Sequence, residues 1–309
     1  MKAVRLYEYG GPENLKYEDD APEPTLTEDS ILVEAWAASV NPIDWKLRSG
    51  IYQKDFPLKL PAILGRDVSG VVRAVGRNIR TFKPGDRVLA NTRATYAELV
   101  VIEGLIATHL PEGLDLIDSA AIPLVSLTGD QLVRLGARAR SGQVILVTGA
   151  LGSVGRAAVH TALKLGAQVI AGVRTHQLQE ATALGAADAV AIDDEAAIAK
   201  LAPVDGVADT VGGETAARLF AKVKSGGTFG SVTSLPDGAS KSNPTVTFTH
   251  VASRPDASKI REFADDVRDG KFLLPISRRM PLRDAPEAHA LAQQGGLGKI
   301  ILLNRSATS

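Results

Sequence analysis

The rhythm of apolar and polar positions changes near residue 120. Before it, Ile31–Ala38 (ILVEAWAA), Val68–Val75 (VSGVVRAV) and Arg87–Ala90 read as short strands. Gly10–Pro12, Pro22–Pro24, Pro57–Pro61 and Lys83–Asp86 read as the turns that break them. Many short strands of this kind predict a small barrel-like β domain. From Ser119 onward, strand-like runs at Gln143–Thr148, Val169–Val173, Ala189–Ile192, Gly206–Asp209 and Gly227–Val232 alternate with helical patterns. The helical stretches are Val154–Leu165, Gln177–Leu184, Glu195–Leu201 and Glu214–Val223. Such alternation predicts a parallel sheet covered on both faces. Thr245–Val251 (TVTFTHV) adds a strand and Ala257–Asp269 a helix. After Gly270 the chain turns β-like again and closes with Lys299–Leu303 (KIILL). The expected architecture is α/β. Residues 1–120 and 274–309 form a β-rich domain, and 121–273 form a doubly wound, Rossmann-type domain inserted between them. Arg305–Ser309 is expected to be a loose tail.

Composition narrows the function. A chain of 309 residues suits two domains, and 45% apolar with 23% charged residues is ordinary for a globular protein. Lys plus Arg equals Asp plus Glu, 35 each, so no net field favours nucleic acid or an anionic membrane. The absence of cysteine rules out disulfides, thiol nucleophiles and cysteine-bearing zinc sites, and it fits a reducing cytoplasm. MKAVRLYEYGG has no apolar core of a signal peptide, and no run of roughly 18 apolar residues suggests a membrane span.

Candidate chemistry centres on Val147–Gly155 (VTGALGSVG), where Gly149, Gly152 and Gly155 recur every three residues between QVILVT and VGRAAVHTALKLGA. A glycine-rich connection that merely turns is one reading. The strand before it and the helix after it favour a dinucleotide turn, in which Gly149, Gly152, Ser153, Val154 and Gly155 receive a pyrophosphate at a helix N-terminus. A cofactor with a free ribose 2′-OH wants an acid about 20 residues on, at the end of the second strand. That position holds Arg174, with His176 two residues later, and no carboxylate occurs between Gly155 and Glu180. An arginine there is either a solvated strand-end residue or a partner for a 2′-phosphate, which favours NADPH over NADH.

Two dinucleotide classes compete. Short-chain dehydrogenases space their glycines as TGxxxGxG, which requires glycine at position 153, where this chain has Ser153. They also need a tyrosine after the turn, and Tyr7, Tyr9, Tyr17, Tyr52 and Tyr96 all precede it. By contrast, MKAVRLYEYGGPENL, LGRDVSGVVRAVG, KPGDRV, the GxxGxxG turn at this depth and the closing GKIILL resemble the medium-chain dehydrogenase/reductase superfamily. The resemblance implies a GroES-like β-barrel catalytic domain made from both chain ends and a Rossmann cofactor domain inserted between them. Zinc enzymes of that fold carry a cysteine near position 41 and a His-Glu pair where this chain has Asn41 and Arg66–Asp67, and its five histidines are scattered, so no metal is expected. NPIDWKLRSGIY, from Asn41 to Tyr52, resembles the quinone oxidoreductase (zeta-crystallin-like) branch, which is zinc-free and reduces quinones or conjugated enones with NADPH.

That branch implies roles for particular residues. Asn41 and Tyr52 would line the cleft near the nicotinamide and hydrogen-bond the substrate oxygen. Asn41 reads equally as the turn-former of an Asn-Pro loop, and Tyr52 as a packing residue. Asp44 and Arg48 are expected to pair; Asp67, where the zinc enzymes carry a glutamate, is expected either to pair with Arg66 or Arg48 or to act near the cleft floor. Thr128 would touch the nicotinamide side or cap a helix start. Asp209 ends a strand at the sheet edge where ligands bind. Ser231 and Val232 would meet the carboxamide, and Gly298–Lys299 would close over the cofactor unless Lys299 is solvated. The segment between Asn91 and ATYAELV is short for the branch, which bears on substrate choice. Without a metal, hydride transfer to a quinone or enone needs only orientation, hydrogen-bond donors and a dry site. A reductase of enoyl thioesters is one alternative, although no basic cluster suggests a CoA phosphate. A low-turnover NADPH-binding sensor is another. Thr245–Val251 is expected to pair across a two-fold axis in a homodimer.

Overall fold

The structure, a computed structural model, describes residues 1–296 and 298–304; the expected tail Arg305–Ser309 lies outside them. The chain divides into two compact units, Met1–Leu124 with Pro255–Ser309 and Val125–Arg254. In chain order the strands are β1 (Ala3–Leu6), β2 (Leu15–Glu18), β3 (Ser30–Val40), β4 (Ala62–Ile63), β5 (Asp67–Val75), β6 (Arg87–Asn91), β7 (Leu99–Glu103) and β8 (Ala107–His109). They continue with β9 (Val144–Thr148), β10 (Gln168–Val173), β11 (Asp188–Ala191), β12 (Val204–Asp209), β13 (Val223–Ser231), β14 (Thr247–His250), β15 (Ile276–Pro281) and β16 (Lys299–Leu303). The α-helices are α1 (Pro42–Ser49), α2 (Pro123–Gln131), α3 (Ser153–Lys164), α4 (Leu178–Ala181), α5 (Glu195–Lys200), α6 (Gly213–Phe220), α7 (Ala257–Arg268) and α8 (Ala285–Gln294).

The second unit is a parallel sheet ordered β11-β10-β9-β12-β13-β14, the strand order of a doubly wound dinucleotide-binding fold. Its central strand VILVT is almost wholly apolar because both faces are covered. Ile145 and Val147 join one core with Ala158 and Ala162 of α3, while Leu146 joins the other with Leu219 and Phe220 of α6. Alternation along one strand therefore feeds two layers. The expected helix over Gln177–Leu184 is broken into α4 flanked by tight 3₁₀ turns.

The first unit is built around β3, which pairs with β5 along one edge and with β7 and then β16 along the other, shifting register against β5 between Leu32 and Val33 and between Ala35 and Ala37. Such bulges curl a long strand so that it can serve several partners. Ile31, Val33, Ala35, Val68, Val72, Val88, Ala90 and Val100 fill the enclosed core. Periodicity groups Ala257–Asp269 with the inserted domain and sets its far boundary at 273. The structure gives α7 to the first unit instead: it packs on β6 and β8, with Ile260, Phe263 and Ala264 buried. Three helices escape the sequence reading, one of them α2, which begins at Pro123, ahead of the Thr128 read as a possible start cap. NPIDWKLRSG, read as an Asn-Pro loop, forms α1, ended by Gly50 in the left-handed region. APEAHALAQQ, in a stretch read as β-like, forms α8, and proline near its start was the available sign. No helix among the described residues is long and apolar enough to cross a membrane.

α8 is pinned by His289, which is fully buried and meets Tyr96 edge-on with ring centroids 5.6 Å apart and Nε2 3.2 Å from the hydroxyl. Burial, with a smaller push from the Arg48 charge, lowers the imidazole to about 3. A histidine depressed in the folded state stabilises the fold above its ordinary pKa, and that contribution is lost as pH falls through about 6.5 toward 3. Replacing His289→Gln is expected to destabilise the protein at pH 8. The deficit relative to the parent should shrink by about 2 kcal/mol at pH 5, because only the parent suffers the proton penalty there. Urea unfolding at the two pH values measures this, and a deficit equal at both would show that His289 is not held neutral.

Candidate active site

In the second unit the glycine turn opens α3. Gly149 adopts φ +60°, and a Cβ on it would lie 2.4 Å from Thr210 Oγ1. A Cβ on Gly155 would lie 2.0 Å from the Gly149 carbonyl oxygen, so the helix can seat against the turn only with glycine there. Gly152 faces open space but for that same oxygen at 3.2 Å. It occupies the N-cap of α3 with no side-chain cap. The N–H groups of Ser153, Val154 and Gly155 are thus left for an anion at the positive end of the helix dipole. Arg156 reaches back with Nε to the Leu151 carbonyl at 3.0 Å and pairs with Glu180 at 2.9 Å, bracing the turn. The turn thus suits a dinucleotide pyrophosphate: no side chain intrudes at Gly152, and the helix N-terminus is left uncapped.

Arg174 and His176 are exposed in the turn after β10. Beside them stands a carboxylate that spacing along the chain does not reveal. Asp193, just past β11, accepts hydrogen bonds from Thr175 N at 2.8 Å and Thr175 Oγ1 at 2.9 Å. The Thr175 hydroxyl bond in particular holds its carboxyl below the usual range.

The other expected cofactor contacts divide. Asp209 is fully buried, and its carboxylate is used by Thr148 Oγ1 (2.7 Å), Ser231 Oγ (2.6 Å) and Gly212 N (3.1 Å). Asp209 and Ser231 therefore tie together the ends of β9, β12 and β13. Val232 donates its N–H to the Asp209 carbonyl. Thr128 is the sixth residue of α2, so it caps no helix start, and its hydroxyl bonds Ser253 at 3.1 Å.

In the first unit the structure gathers residues that are far apart in sequence. Asn41 is 1% exposed; its Nδ2 donates to Asp67 Oδ2 at 2.9 Å, and its Oδ1 accepts from Lys299 Nζ at 2.7 Å. Asp67 Oδ2 also accepts from Ser39 Oγ at 2.6 Å and lies 3.7 Å from Lys299 Nζ, while Oδ1 accepts from Leu124 N at 2.7 Å. Asp67 thus pairs with Lys299, not with Arg66 or Arg48. Lys299 is neither solvated nor laid over a surface: it is 4% exposed beneath Asn41. Gly298 allows a close approach, since a Cβ would lie 2.6 Å from the Pro275 carbonyl oxygen.

Asp44 returns Oδ2 to the Asn41 N–H at 2.9 Å and accepts from Tyr96 OH at 3.1 Å. Arg48, expected to pair with Asp44, donates instead to Gln293 Oε1 at 2.9 Å. Burial, reinforced by the Asp67 charge, raises Asp44 to about 7. Lys299 is lowered by burial against the pull of Asp67 and Asp44, and Tyr96 is pushed well above its ordinary value by burial and the Asp44 charge. A proton on Asp44 leaves one carboxylate and one ammonium in the pocket, close to neutrality. Tyr52 stands apart, half-buried past Gly50, edge-on to Phe56 with Lys46 Nζ 5.8 Å from its ring centroid. Tyr96 and His289 complete the cluster, and nothing local in the sequence marks them.

A zinc ion does not fit this cluster. Asn41 offers only an amide, the Lys299 ammonium already faces Asp67, and no group of three His, Cys, Asp or Glu among the described residues is placed to hold a metal.

Comparison with known proteins accords with this geometry. Residues 27–107 match the alcohol dehydrogenase GroES-like domain and 184–302 the zinc-binding dehydrogenase domain. The quinone oxidoreductase of Pongo abelii is 38% identical over 182 residues, which are 58% of this chain and 55% of that protein, so the chain spans about half the length of the curated quinone oxidoreductases it matches. The mitochondrial NAD(P)H oxidoreductase RTN4IP1 of Bos taurus is 30% identical over 98% of this chain and 89% of its own. The crystal structure of Escherichia coli quinone oxidoreductase complexed with NADPH superposes with a TM-score of 0.86 at 26% identity, covering 98% of this chain and 100% of that one. The chain belongs to the medium-chain dehydrogenase/reductase superfamily, in its quinone oxidoreductase branch.

Proposed function

We propose that this protein is a zinc-independent oxidoreductase that uses NADPH to reduce a quinone or an α,β-unsaturated carbonyl. The observation that carries the reading is the uncapped glycine turn opening α3, with Arg174 exposed at the end of the neighbouring strand. The NADPH complex of the Escherichia coli relative and the NAD(P)H named for the bovine one support the same cofactor.

Gly149, Gly152, Ser153, Val154 and Gly155 hold the pyrophosphate through backbone N–H groups. Arg174 takes the 2′-phosphate with His176 beside it, and Thr128 and Val232 lie toward the nicotinamide. Asp209 and Ser231 act as the frame that keeps these strand ends in register. NADPH supplies the hydride equivalent when bound. The reduced substrate is an oxyanion that takes up one proton. In the first unit Asn41, Asp44, Asp67 and Lys299 hold a fixed set of charges and protons for that end of the reaction, and Tyr52 contributes the aromatic surface. A cysteine-free chain suits the cytoplasm, and the exposed edge strand β14 suits a homodimer.

Oxidation of NADPH by a panel of 1,4-benzoquinones and small enones, followed at the nicotinamide absorbance, tests the reaction. Turnover with quinones is expected, whereas tight NADPH binding with no oxidation across the panel would replace this reading with that of an NADPH-binding sensor. For the cofactor, Arg174→Asp should weaken NADPH binding about 10- to 100-fold and leave NADH nearly unchanged. Asp193→Asn, which keeps an acceptor for Thr175 but removes a like charge, should tighten NADPH by about two- to fivefold. Calorimetric titration gives both values, and equal parental affinities for NADPH and NADH would count against Arg174. Light scattering at micromolar concentration should report a dimer, and a monomer would remove the pairing of β14.

A further inference from the structure

The Asn41 amide sits between a buried cation and a buried anion. Lys299 Nζ is 2.7 Å from Oδ1 and Asp67 Oδ2 is 2.9 Å from Nδ2. Turning the amide over would set its NH₂ against the ammonium and its oxygen against the carboxylate, exchanging two charge-assisted hydrogen bonds for two repulsions. The second amide hydrogen is shared by Ser39 O and Ser39 Oγ, both at 3.3 Å. Both hydrogens are therefore committed to the protein, and the only capacity left is one lone pair on Oδ1. A side chain in this state can accept a hydrogen bond but has none to donate to a carbonyl oxygen.

The placement of Lys299 is specific. It is the first residue of β16, and the antiparallel register that sets Ile300 opposite Val40 carries it alongside Asn41. Its ammonium lies 3.5 Å from the Val40 carbonyl oxygen as well, so the protein meets it with an amide oxygen, a backbone oxygen and a carboxylate. A lysine spent only on compensating Asp67 would make its shortest contact there. Here the shortest contact is to Asn41, at 2.7 Å against 3.7 Å.

We propose that Lys299 is a positioning residue: together with Asp67 it locks the Asn41 amide so that its oxygen, not its nitrogen, is the free valence offered to a ligand. Asn41 then recognises a hydrogen-bond donor, such as a hydroxyl or an amide N–H, and does not bond the oxygen of an incoming carbonyl. This rests on the reading of the Asn41 cluster as part of the reductase site.

A charge-balanced double variant separates positioning from charge compensation. Lys299→Met alone leaves Asp67 buried and unpaired, so both stability and kcat should fall. Asp67→Asn with Lys299→Met removes both charges, and stability should recover toward the parent. If Lys299 positions Asn41, kcat with quinone stays about 10- to 100-fold down while the KM for NADPH holds within about twofold. Lys299→Arg should retain more activity than Lys299→Met. Independently of turnover, the side-chain amide protons of Asn41, assigned by NMR through their loss in Asn41→Ala, should exchange slowly in the parent and rapidly in the double variant. Recovery of parental kcat in the double variant, or slow exchange persisting there, would overturn the proposal. A parent that oxidises no NADPH with any quinone would instead overturn the reductase reading, and the exchange measurement would still decide whether Lys299 fixes the amide.

Discussion

A carboxylate with no solvent exposure is tolerable only when its oxygens are answered by donors, and Asp67 is answered from four parts of the chain. Ser39 at the end of β3, Asn41 at the start of α1, the Leu124 N–H in the first turn of α2 and Lys299 at the start of β16 all converge on it. The first unit is organised around that single charge. Its neighbours are polar because Asp67 is there, and their geometry is fixed because each has one best way to face it. Low dielectric sharpens the constraint: the interactions are strong when made and costly when missing.

The second unit solves a similar problem with Asp209. That carboxylate ties Thr148, Ser231 and Gly212 together, so the strands β9, β12 and β13 end in one rigid edge. Acidic residues at a sheet edge invite assignment as ligands. Here the acid is the frame, and the backbone of the neighbouring glycine turn is what remains open. Binding by backbone N–H groups requires that the turn be stiff, and the close seating of Gly155 on Gly149 supplies that stiffness.

The division between what could and could not be read from sequence follows the range of the interactions. Hydrophobic period and turn chemistry are local, so β9, β10, β12 and α3 lie within a residue or two of the runs that predict them, and the three glycines mark the turn that opens α3. Asp193 escaped because it reaches Thr175, between Arg174 and His176, through the parallel pairing of β10 with β11, not through spacing along the chain. Lys299 looked like a strand-end lysine for the same reason, since Val40 and Asn41 lie 259 and 258 residues away across one antiparallel register. Tyr96 and His289 carry no local signature, and only the packing of α8 brings them together. The ion pairs expected for Asp44 and Asp67 failed because nearness in sequence was used in place of nearness in space. α7 was grouped by rhythm with the inserted domain although its apolar side belongs to β6 and β8.

Building one unit from two distant stretches sets an order on biosynthesis. The parallel sheet of the second unit is complete once residue 250 has left the ribosome, and it can fold while synthesis continues. The first unit cannot finish then, because β3 waits for β16 and Asp67 waits for its cation. During that interval a long strand edge and a buried-type carboxylate are exposed to water and to other chains, which is when strand pairing between molecules competes with folding. The arrival of β16 therefore closes that edge of β3 and brings Asp67 its cation in one event.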